Sequence, residues 1–538
     1  MAKENDLKNF MEYLKNNKKS IAAHAGMLLV TVCLVAGVFC FWSEYKVIWF
    51  CDEIYSYFTA NSGQGVGARI TYKTWYDSQF VVDDMTAECG RFFSRTINNV
   101  RSDDHPPIYF LTMHAMSLLM RGSISKWVGL AVNLLCVIGI SILVYLLIYL
   151  ITQKKLAAML SAVALGVVPS FLTNAMLIRM YCMMTAWAVL YVFLSYLITY
   201  RQMSRKVKTA AYLALSVTTA CGFLTQYYFA VFAVGFTLVY SFYCMTNKQW
   251  KDMINYILSM VLAVVLATVL WSFWLVQIFN RYCGEAVLSQ ALDFSKIGKE
   301  LIAGFTYIPK LIFYKWYIVG ILVSVLCIVF LVRMKDKFVP IILQLVGGSF
   351  FYSLVVAHVT PTHYLDYRYF YMATAVVYIA LLITFIRCVS YVKIQAVKKY
   401  GAYAVLVFLI AFHCITSLTD EMSMGYVDTS GEYNNKREVL ESYGNLPWVY
   451  YGYESWSMME NYYDFALGSR FIVYNDQNDF ESGKCPGEGS DFIFMINNVS
   501  YRKPQQVLKK LEEMSGCEHE VTFLFNKGSH IYLVSHKH

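Results

Sequence analysis

The chain has 538 residues, of which 58% are hydrophobic and only 15% are charged. A typical globular chain carries roughly 25% charged residues, so this charge content excludes three or four soluble domains of ordinary composition. Aromatic residues reach 17%, which excludes a disordered chain. The sequence therefore predicts an integral membrane protein with some soluble mass attached. Its net charge of +9 is explained by Lys and Arg beside membrane spans rather than by a nucleic-acid partner.

We interpret eleven apolar runs as membrane spans, because a helix of about 20 apolar residues crosses a bilayer. They predict a polytopic α-helical membrane protein with about 11 transmembrane helices in residues 21–418. The first run follows a basic segment, residues 1–20, without a clear cleavage site, so we interpret it as a retained signal anchor. The predicted spans are 21–43, 126–151, 156–173, 176–200, 209–224, 226–245, 254–279, 311–332, 338–357, 368–388 and 400–418.

The distribution of Lys and Arg predicts the orientation of the spans. The N-terminal segment and five connectors carry twenty Lys and Arg and are predicted to be cytoplasmic. The apolar piece Ile108–Met120 has thirteen residues, a helix of roughly 20 Å, and is too short for a hydrocarbon core of ~30 Å. We interpret it as a juxtamembrane or re-entrant helix with both ends outside. The five connectors are Lys154–Lys155, Arg201–Lys208, Lys248–Lys251, Arg333–Lys337 and Arg387–Lys399.

This topology places the N-terminus in the cytoplasm and three soluble pieces outside: a first outer loop, residues 44–125, a shorter loop, 280–310, and a C-terminal region, 419–538. Helical periodicity in Gln505–Met514 and a hairpin turn at Asn526–Ser529 accompany short β-rich runs in the C-terminal region. The sequence predicts a small extracytoplasmic α/β domain there. Its predicted strands are Trp448–Tyr451, Phe471–Tyr474, Phe492–Ile496, Val521–Phe525 and His530–Val534.

Two adjacent carboxylates, Asp52 and Glu53, stand where the first span leaves the membrane. One interpretation is an acidic pair that merely marks the end of the span. The other is a general base, because a carboxylate beside an apolar wall is desolvated and holds a proton more readily.

A second acidic segment of the same loop is Asp103-Asp104-His105-Pro106-Pro107. Two prolines restrict the backbone and can open a helix but not continue one, so this segment predicts a rigid corner before the short helix. Either aspartate is alternatively a helix cap. The presence of both acidic segments in one outer loop favours a catalytic site.

The two segments together resemble the protein O-mannosyltransferases and their bacterial relatives in glycosyltransferase family 39, including the lipid A aminoarabinose transferases. These enzymes belong to the GT-C superfamily, which takes sugars from polyprenyl-phosphate carriers. The resemblance extends over residues 20–390 through three weaker motifs. They are Ile178-Arg179-Met180-Tyr181, Thr225-Gln226-Tyr227-Tyr228, where Gln226 replaces the family's His, and Tyr367-Arg368-Tyr369-Phe370.

The resemblance implies a membrane glycosyltransferase that moves a sugar from a polyprenyl-phosphate donor to an acceptor hydroxyl, with inversion. Asp52 is then the base, and Glu53 is secondary. The implied contacts to the donor phosphate are Arg179, Tyr181, Tyr227, Arg368 and Tyr369. Guanidinium groups suit phosphate oxygens, although an arginine at a span end is often a lipid anchor and most tyrosines are interfacial.

Asp103, Asp104 and His105 are expected to position the acceptor, or to hold a divalent cation together with Asp52. The candidate metal ligands are Asp52, Asp103 and His105, and no cofactor is assigned with certainty. The expected partners are the donor, membrane lipid and an acceptor that is a protein, a lipid or a cell-surface polymer. A bacterial cell membrane is the expected location, with the active site and the C-terminal domain outside.

Three other classes compete with this interpretation. A polysaccharide polymerase or lipid-linked-glycan ligase also acts on polyprenyl carriers, but it more often carries its catalytic residues in a large late loop. A secondary transporter places ionisable groups near the bilayer midplane, where these spans have few carboxylates. A non-enzymatic receptor or envelope assembly protein has no need of paired acids.

Overall fold

The structure is a computed structural model, and the chain forms two compact units. The membrane unit comprises residues 1–42, 133–175 and 180–425, and the outer unit comprises residues 43–132, 176–179 and 426–538. The described residues are 18–63, 65, 70–87, 93–120, 122, 124–361, 365–419, 424–452, 455–481, 486, 490–498, 502–515 and 518–536.

The described residues contain nine helices that are long and apolar enough to cross a membrane. This confirms a polytopic helical membrane protein, and each of the nine helices overlaps a predicted span. The helices are Ala22–Glu44, Trp127–Thr152, Tyr181–Tyr200, Phe229–Thr246, Trp250–Leu270, Ile297–Arg333, Val339–Val359, Tyr367–Ser390 and Gln395–Thr419.

The two other predicted spans differ from a simple membrane helix. The span predicted at 156–173 consists of helices Lys155–Gly166 and Pro169–Met176, which meet at an angle of 62°. Pro169 begins the second helix, a position where proline is tolerated because its missing N–H has no helical partner. The span predicted at 209–224 is the 19-residue helix Arg205–Phe223, whose basic first turn and hydroxyl side chains make it less apolar.

The predicted outer loop 280–310 is largely helical. It contains helix Tyr282–Ala291 and most of helix Ile297–Phe313, which continues through a short turn into helix Tyr317–Arg333. The charged residue Glu300, which suggests a loop, is buried and accepts a hydrogen bond from His358 at 2.7 Å. This segment is therefore helical rather than irregular, with Glu300 buried inside the membrane unit, and its place outside the membrane stays a prediction. The preceding short helix is Trp274–Phe279.

The described residues of the outer unit form a six-stranded sheet of β1 Tyr76–Asp77, β2 Trp448–Gly452, β3 Arg470–Asn475, β4 Phe492–Asn497, β5 His519–Lys527 and β6 Ser529–His536. The strand order is β1-β3-β2-β4-β6-β5. Strands β2, β3 and β4 are parallel, whereas β6 pairs antiparallel with both β4 and β5. Helix Pro504–Ser515 packs its buried Val507 and Leu511 against the sheet. The predicted small α/β domain, with its five strands, is thus confirmed.

Strand β1 comes from the first outer loop and was not predicted. Tyr76 pairs with Phe471, and Asp77 pairs with Arg470, at the edge of the sheet. Two residues are too few to produce a strand signal in the sequence. Through this pairing the first outer loop and residues 426–538 fold as one unit, rather than as the separate pieces 44–125 and 419–538.

The helices of the outer unit surround a core of aromatic and aliphatic side chains. Tyr57, Phe58, Tyr109 and Phe110 are fully buried and join the first helix of the loop to the short helix after the prolines. This short helix, predicted at 108–120, has twelve residues and is too short to cross a bilayer. The helices are Cys51–Asn61, Gln79–Met85, Ser94–Ser102, Ile108–Leu119, Glu432–Ser442, Ser455–Met459 and Pro504–Ser515.

A labelling experiment tests the predicted orientation of this short helix. If both ends of the helix face outside, the cysteines introduced by Arg101→Cys and by Ile124→Cys will both react with an impermeant maleimide added to intact cells. Asn247→Cys, on a predicted cytoplasmic connector, will react only after permeabilisation. Labelling of only one of the first two positions would mean that the helix crosses the membrane.

A buried carboxylate links the loop to the C-terminal sheet region. Asp84 accepts hydrogen bonds from Ser62 Oγ at 2.6 Å and from Tyr462 Oη at 3.0 Å. Burial raises the pKa of Asp84, against the two hydrogen bonds that lower it.

This raised pKa predicts a pH-dependent stability. When the pKa of a carboxyl is higher in the folded state than in the unfolded state, the group stabilises the fold at pH values below its unfolded-state pKa. This contribution is lost as the pH rises through the folded-state pKa. For the detergent-purified chain, the melting temperature of Asp84→Asn should therefore rise relative to that of the unmodified chain as pH increases above about 4, which changes the slope of melting temperature against pH. The charge of the exposed Asp83 is the weakest of the causes that act on Asp84, so the control Asp83→Asn should change this slope much less. An unchanged slope in Asp84→Asn would contradict the prediction.

Candidate active site

Asp52 lies in the first turn of helix Cys51–Asn61, directly after the segment that leaves the first membrane helix. Its side chain is 23% exposed, and its Oδ2 lies 3.9 Å from Arg179 Nε. The positive end of the helix dipole and the guanidinium both favour the ionised carboxylate. Asp52 is therefore an accessible carboxylate beside a cation.

Glu53, the neighbouring acid, is completely buried and occupied by structural hydrogen bonds. Lys46 Nζ donates to it at 2.7 Å, and the backbone N–H groups of Phe50 and Ile178 donate at 2.8 and 2.7 Å. Burial lowers the pKa of Lys46, while the charge and hydrogen bond of Glu53 oppose that shift. Because residue 178 immediately precedes Arg179, the bond from Ile178 also fixes the position of Arg179.

Arg179 projects from a tight turn between helices Pro169–Met176 and Tyr181–Tyr200, in which Arg179 N donates to Leu177 O at 2.8 Å. Its side chain is only 6% exposed. Nη1 donates to Ser56 Oγ at 3.2 Å, and Nη2 lies 3.4 Å from His105 Nε2. Arg179 thus joins the helix of Asp52 to the second acidic segment.

The second acidic segment forms the corner expected from its prolines. His105 Nδ1 lies 3.1 Å from Asp103 Oδ2. In the tautomer that is protonated on Nδ1, His105 donates to Asp103 and its Nε2 can accept from Arg179. Burial raises the pKa of Asp103, but the neighbouring imidazole and guanidinium outweigh burial and hold the pKa below its ordinary value. Asp104 contributes a backbone hydrogen bond to the same carboxylate.

The outer unit therefore brings together Asp52, Asp103, His105 and Arg179, which the sequence predicted from segments far apart in the chain. It also reveals two neighbours that the sequence analysis missed. Ser56 Oγ accepts from Arg179 and donates to the carbonyl of Asp52 at 3.0 Å. Burial, with Cys51 and Asp52 nearby, raises the pKa of Tyr55 to about 12, so its phenol stays protonated. Both lie three or four residues after Asp52, a spacing that places them near its face of the helix.

The candidate metal ligands do not form a metal-binding group. Among the described residues, no three His, Cys, Asp or Glu side chains are arranged to hold a metal ion. The guanidinium of Arg179 lies beside Asp52 and His105 and supplies the positive charge next to them. The grouping of Asp52, Asp103 and His105 around a cation is therefore not supported by this geometry.

The other predicted phosphate contacts belong to the membrane unit. The rings of Tyr181 and Tyr228 both contact the Tyr369 ring edge-to-face, with centroids 5.8 and 5.7 Å away. The Arg368 guanidinium lies over the same Tyr369 ring, 5.4 Å from its centroid. Tyr227 instead donates to Gln277 Oε1 at 2.5 Å. The aromatic motifs therefore share one cluster around Tyr369, with Tyr227 bonded to a different helix.

A family model described as dolichyl-phosphate-mannose-protein mannosyltransferase matches residues 104–273. The matched segment includes Asp104, His105, Arg179, Tyr181 and Tyr227, but it begins after Asp52 and Asp103. No curated protein sequence matches the chain.

Solved structures of ArnT from Cupriavidus metallidurans are similar to the chain. The form bound to undecaprenyl phosphate has a TM-score of 0.52 at 10% identity, over 95% of this chain and 98% of ArnT. The apo form has a TM-score of 0.50 at the same identity and coverage. A lower TM-score, 0.41 at 10% identity, relates 89% of this chain to 70% of the archaeal oligosaccharyltransferase AglB from Archaeoglobus fulgidus.

The chain therefore shares the fold of the ArnT structures over nearly its whole length. The mannosyltransferase family model matches the segment that contains His105 and Arg179.

Proposed function

We propose that the protein transfers a sugar from a polyprenyl-phosphate carrier to an acceptor hydroxyl at the outer face of the membrane. Asp52 is the general base. The observation that carries the proposal is the unequal environment of the two adjacent acids. Asp52 is accessible beside Arg179, whereas Glu53 is buried and accepts hydrogen bonds from Lys46 and two backbone N–H groups.

In the proposed reaction the acceptor hydroxyl loses its proton to Asp52 as its oxygen attacks the anomeric carbon. The bond between that carbon and the phosphate oxygen breaks, and polyprenyl phosphate leaves with the bonding electrons. Attack from the face opposite the phosphate inverts the anomeric centre. A phosphate ester leaves without a general acid, so stabilisation of its charge is sufficient.

Arg179 is the proposed source of this stabilisation in the outer unit. Its planar guanidinium suits two phosphate oxygens, and its low exposure strengthens electrostatic contacts. Glu53 is assigned a positioning role, because it anchors the turn that carries Arg179. Tyr181, Tyr227, Arg368 and Tyr369 remain predicted contacts of the donor lipid.

His105 and Asp103 are proposed to orient the acceptor rather than to bind metal. The ionised Asp103 keeps the Nδ1 proton of His105 directed toward itself, which leaves Nε2 as an acceptor beside Arg179. The phenol of Tyr55 and the hydroxyl of Ser56 add donors near Asp52.

The carrier class is supported by two comparisons. The matching family is described by its use of dolichyl-phosphate mannose. The similar ArnT structure contains undecaprenyl phosphate. Both lipids are polyprenyl phosphates, so we propose the same chemical class of carrier for this chain.

The experiment is a transfer assay with the purified chain in lipid vesicles and a polyprenyl-phosphate mannose labelled in the sugar. A panel of labelled polyprenyl-phosphate hexoses and pentoses extends the assay, with a membrane extract as the source of acceptor. Release of free polyprenyl phosphate together with a labelled product, and their loss with Asp52→Asn, is the expected result. Donor turnover that is unaffected by Asp52→Asn would refute the role of Asp52, and no turnover of any donor would refute the carrier class.

A further inference from the structure

We propose that a cavity at the basic ends of two membrane helices binds the phosphate headgroup of an anionic glycerophospholipid. The cavity has a volume of about 580 Å³ and lies between helices Arg205–Phe223 and Trp250–Leu270. It belongs entirely to the membrane unit and contains none of the predicted donor contacts.

The two helices run in the same direction. Near their first turns Lys208 Nζ donates to Asp252 Oδ1 at 2.7 Å, and farther along Thr219 Oγ1 lies 4.0 Å from Met260 Sδ. Both helices therefore begin at the cavity, and the positive ends of both helix dipoles lie there.

The cavity carries more positive than negative charge. Its lining includes Arg205, Lys208 and Lys251, but Asp252 is its sole acid. Asp252 pairs with Lys208, and within the described ranges Arg205 and Lys251 make no salt bridge. Cations in the first turn of a helix are unfavourable, so two of them at adjacent helix starts are best compensated by a bound anion.

An apolar wall distinguishes this cavity from a simple phosphate site. Leu213, Leu258 and Leu262 continue its lining along the helices, and Leu213 and Leu258 are 52% and 56% exposed. A free phosphate would leave these side chains uncovered, whereas the acyl chain of a lipid would cover them. Basic cavities between transmembrane helices at the cytoplasmic side are suited to anionic lipid headgroups. Both helices follow connectors that we predict to be cytoplasmic, so the lipid would come from the inner leaflet.

A second cavity, of about 510 Å³, lies across the pair of Lys208 and Asp252. Its lining includes Arg201, Gln202 and Gln249, which offer several hydrogen-bond donors and acceptors. This space suits a headgroup with hydroxyl groups beyond the phosphate. We therefore take phosphatidylglycerol as the probe.

Native mass spectrometry of the full chain in detergent, titrated with phosphatidylglycerol, tests the proposal. The comparison lipid is phosphatidylcholine with the same acyl chains, and glycerol 3-phosphate serves as the soluble competitor. The double variant Arg205→Gln with Lys251→Gln removes both unpaired cations. Its matched control, Lys206→Gln with Lys248→Gln, removes two charges from the same connectors without altering the lining.

We expect the unmodified chain and the matched control to bind phosphatidylglycerol alike, and better than phosphatidylcholine. The cavity double variant should bind it roughly 25-fold more weakly, about fivefold for each charge. If that variant does not purify, Lys251→Gln alone should show the fivefold loss. Equal losses in both double variants, or equal binding of the two lipids, would overturn the proposal. Displacement of phosphatidylglycerol by glycerol 3-phosphate at similar concentrations would show a soluble-phosphate site and overturn the lipid assignment.

Discussion

Asp52→Asn should reduce sugar transfer at least ~100-fold while leaving the chain folded, because loss of a general base typically costs 10²- to 10⁴-fold. The substitution preserves the shape of the side chain, but the amide cannot accept the proton of the acceptor. Release of polyprenyl phosphate from a labelled donor by the vesicle-reconstituted variant is the measurement.

The matched control is Asp83→Asn, which alters an exposed acid of the same loop that bonds only to Gln79 within the described residues. It should retain transfer. A near-normal rate for Asp52→Asn would remove Asp52 as the base and leave Asp103 or Asp104 as the candidate. Equal defects in both variants would indicate a general effect on the loop instead.

Arg179→Ala should lower kcat/KM for the donor by about 10- to 150-fold, which corresponds to the loss of a charge-assisted hydrogen bond of roughly 1.5–3 kcal/mol. Arg179→Lys keeps the charge but lacks the planar fork, so it should also be impaired, mainly through a higher KM for the donor. Donor kinetics over a range of carrier concentrations separate these effects.

A lipid anchor would behave differently, because lysine anchors at a membrane surface as well as arginine. Unchanged donor kinetics in Arg179→Lys and Arg179→Ala, with normal expression, would shift the proposed phosphate contact to Arg368. As a structural control, Ser56→Ala removes a hydrogen bond to Arg179 but no charge. It should cause a smaller defect than Arg179→Ala.

Most of the architecture follows from local patterns in the sequence. Membrane helices such as Val339–Val359 are predicted from long apolar runs. Strand β4 is predicted from a short apolar run bounded by polar residues. Strand β1 was missed because its two residues depend on β3 for their hydrogen bonds. The helix at Ile297–Phe313 was missed because the burial of Glu300 against His358 is a tertiary effect that composition does not reveal.

The candidate site was predictable in its members but not in their roles. Asp52 and Glu53 are equivalent in the sequence, and only the positions of Lys46 and Ile178 distinguish an accessible acid from a buried one. The place of Arg179 beside the first acid was likewise not predictable, because it depends on a turn far along the chain. The side-chain contacts of Ser56 follow from its position one helical turn after Asp52.

The origin of strand β1 has a consequence for biosynthesis. Tyr76 and Asp77 leave the ribosome early, but their partner β3 is translated only after the membrane helices that separate them. The same delay applies to Asp84, whose partner Tyr462 also arrives late. The loop that carries Asp52 therefore cannot pair with its sheet until nearly the entire chain has been synthesised and inserted. A chain that stops before β3 would present this loop without its sheet, so the proposed active site can be completed only late in synthesis.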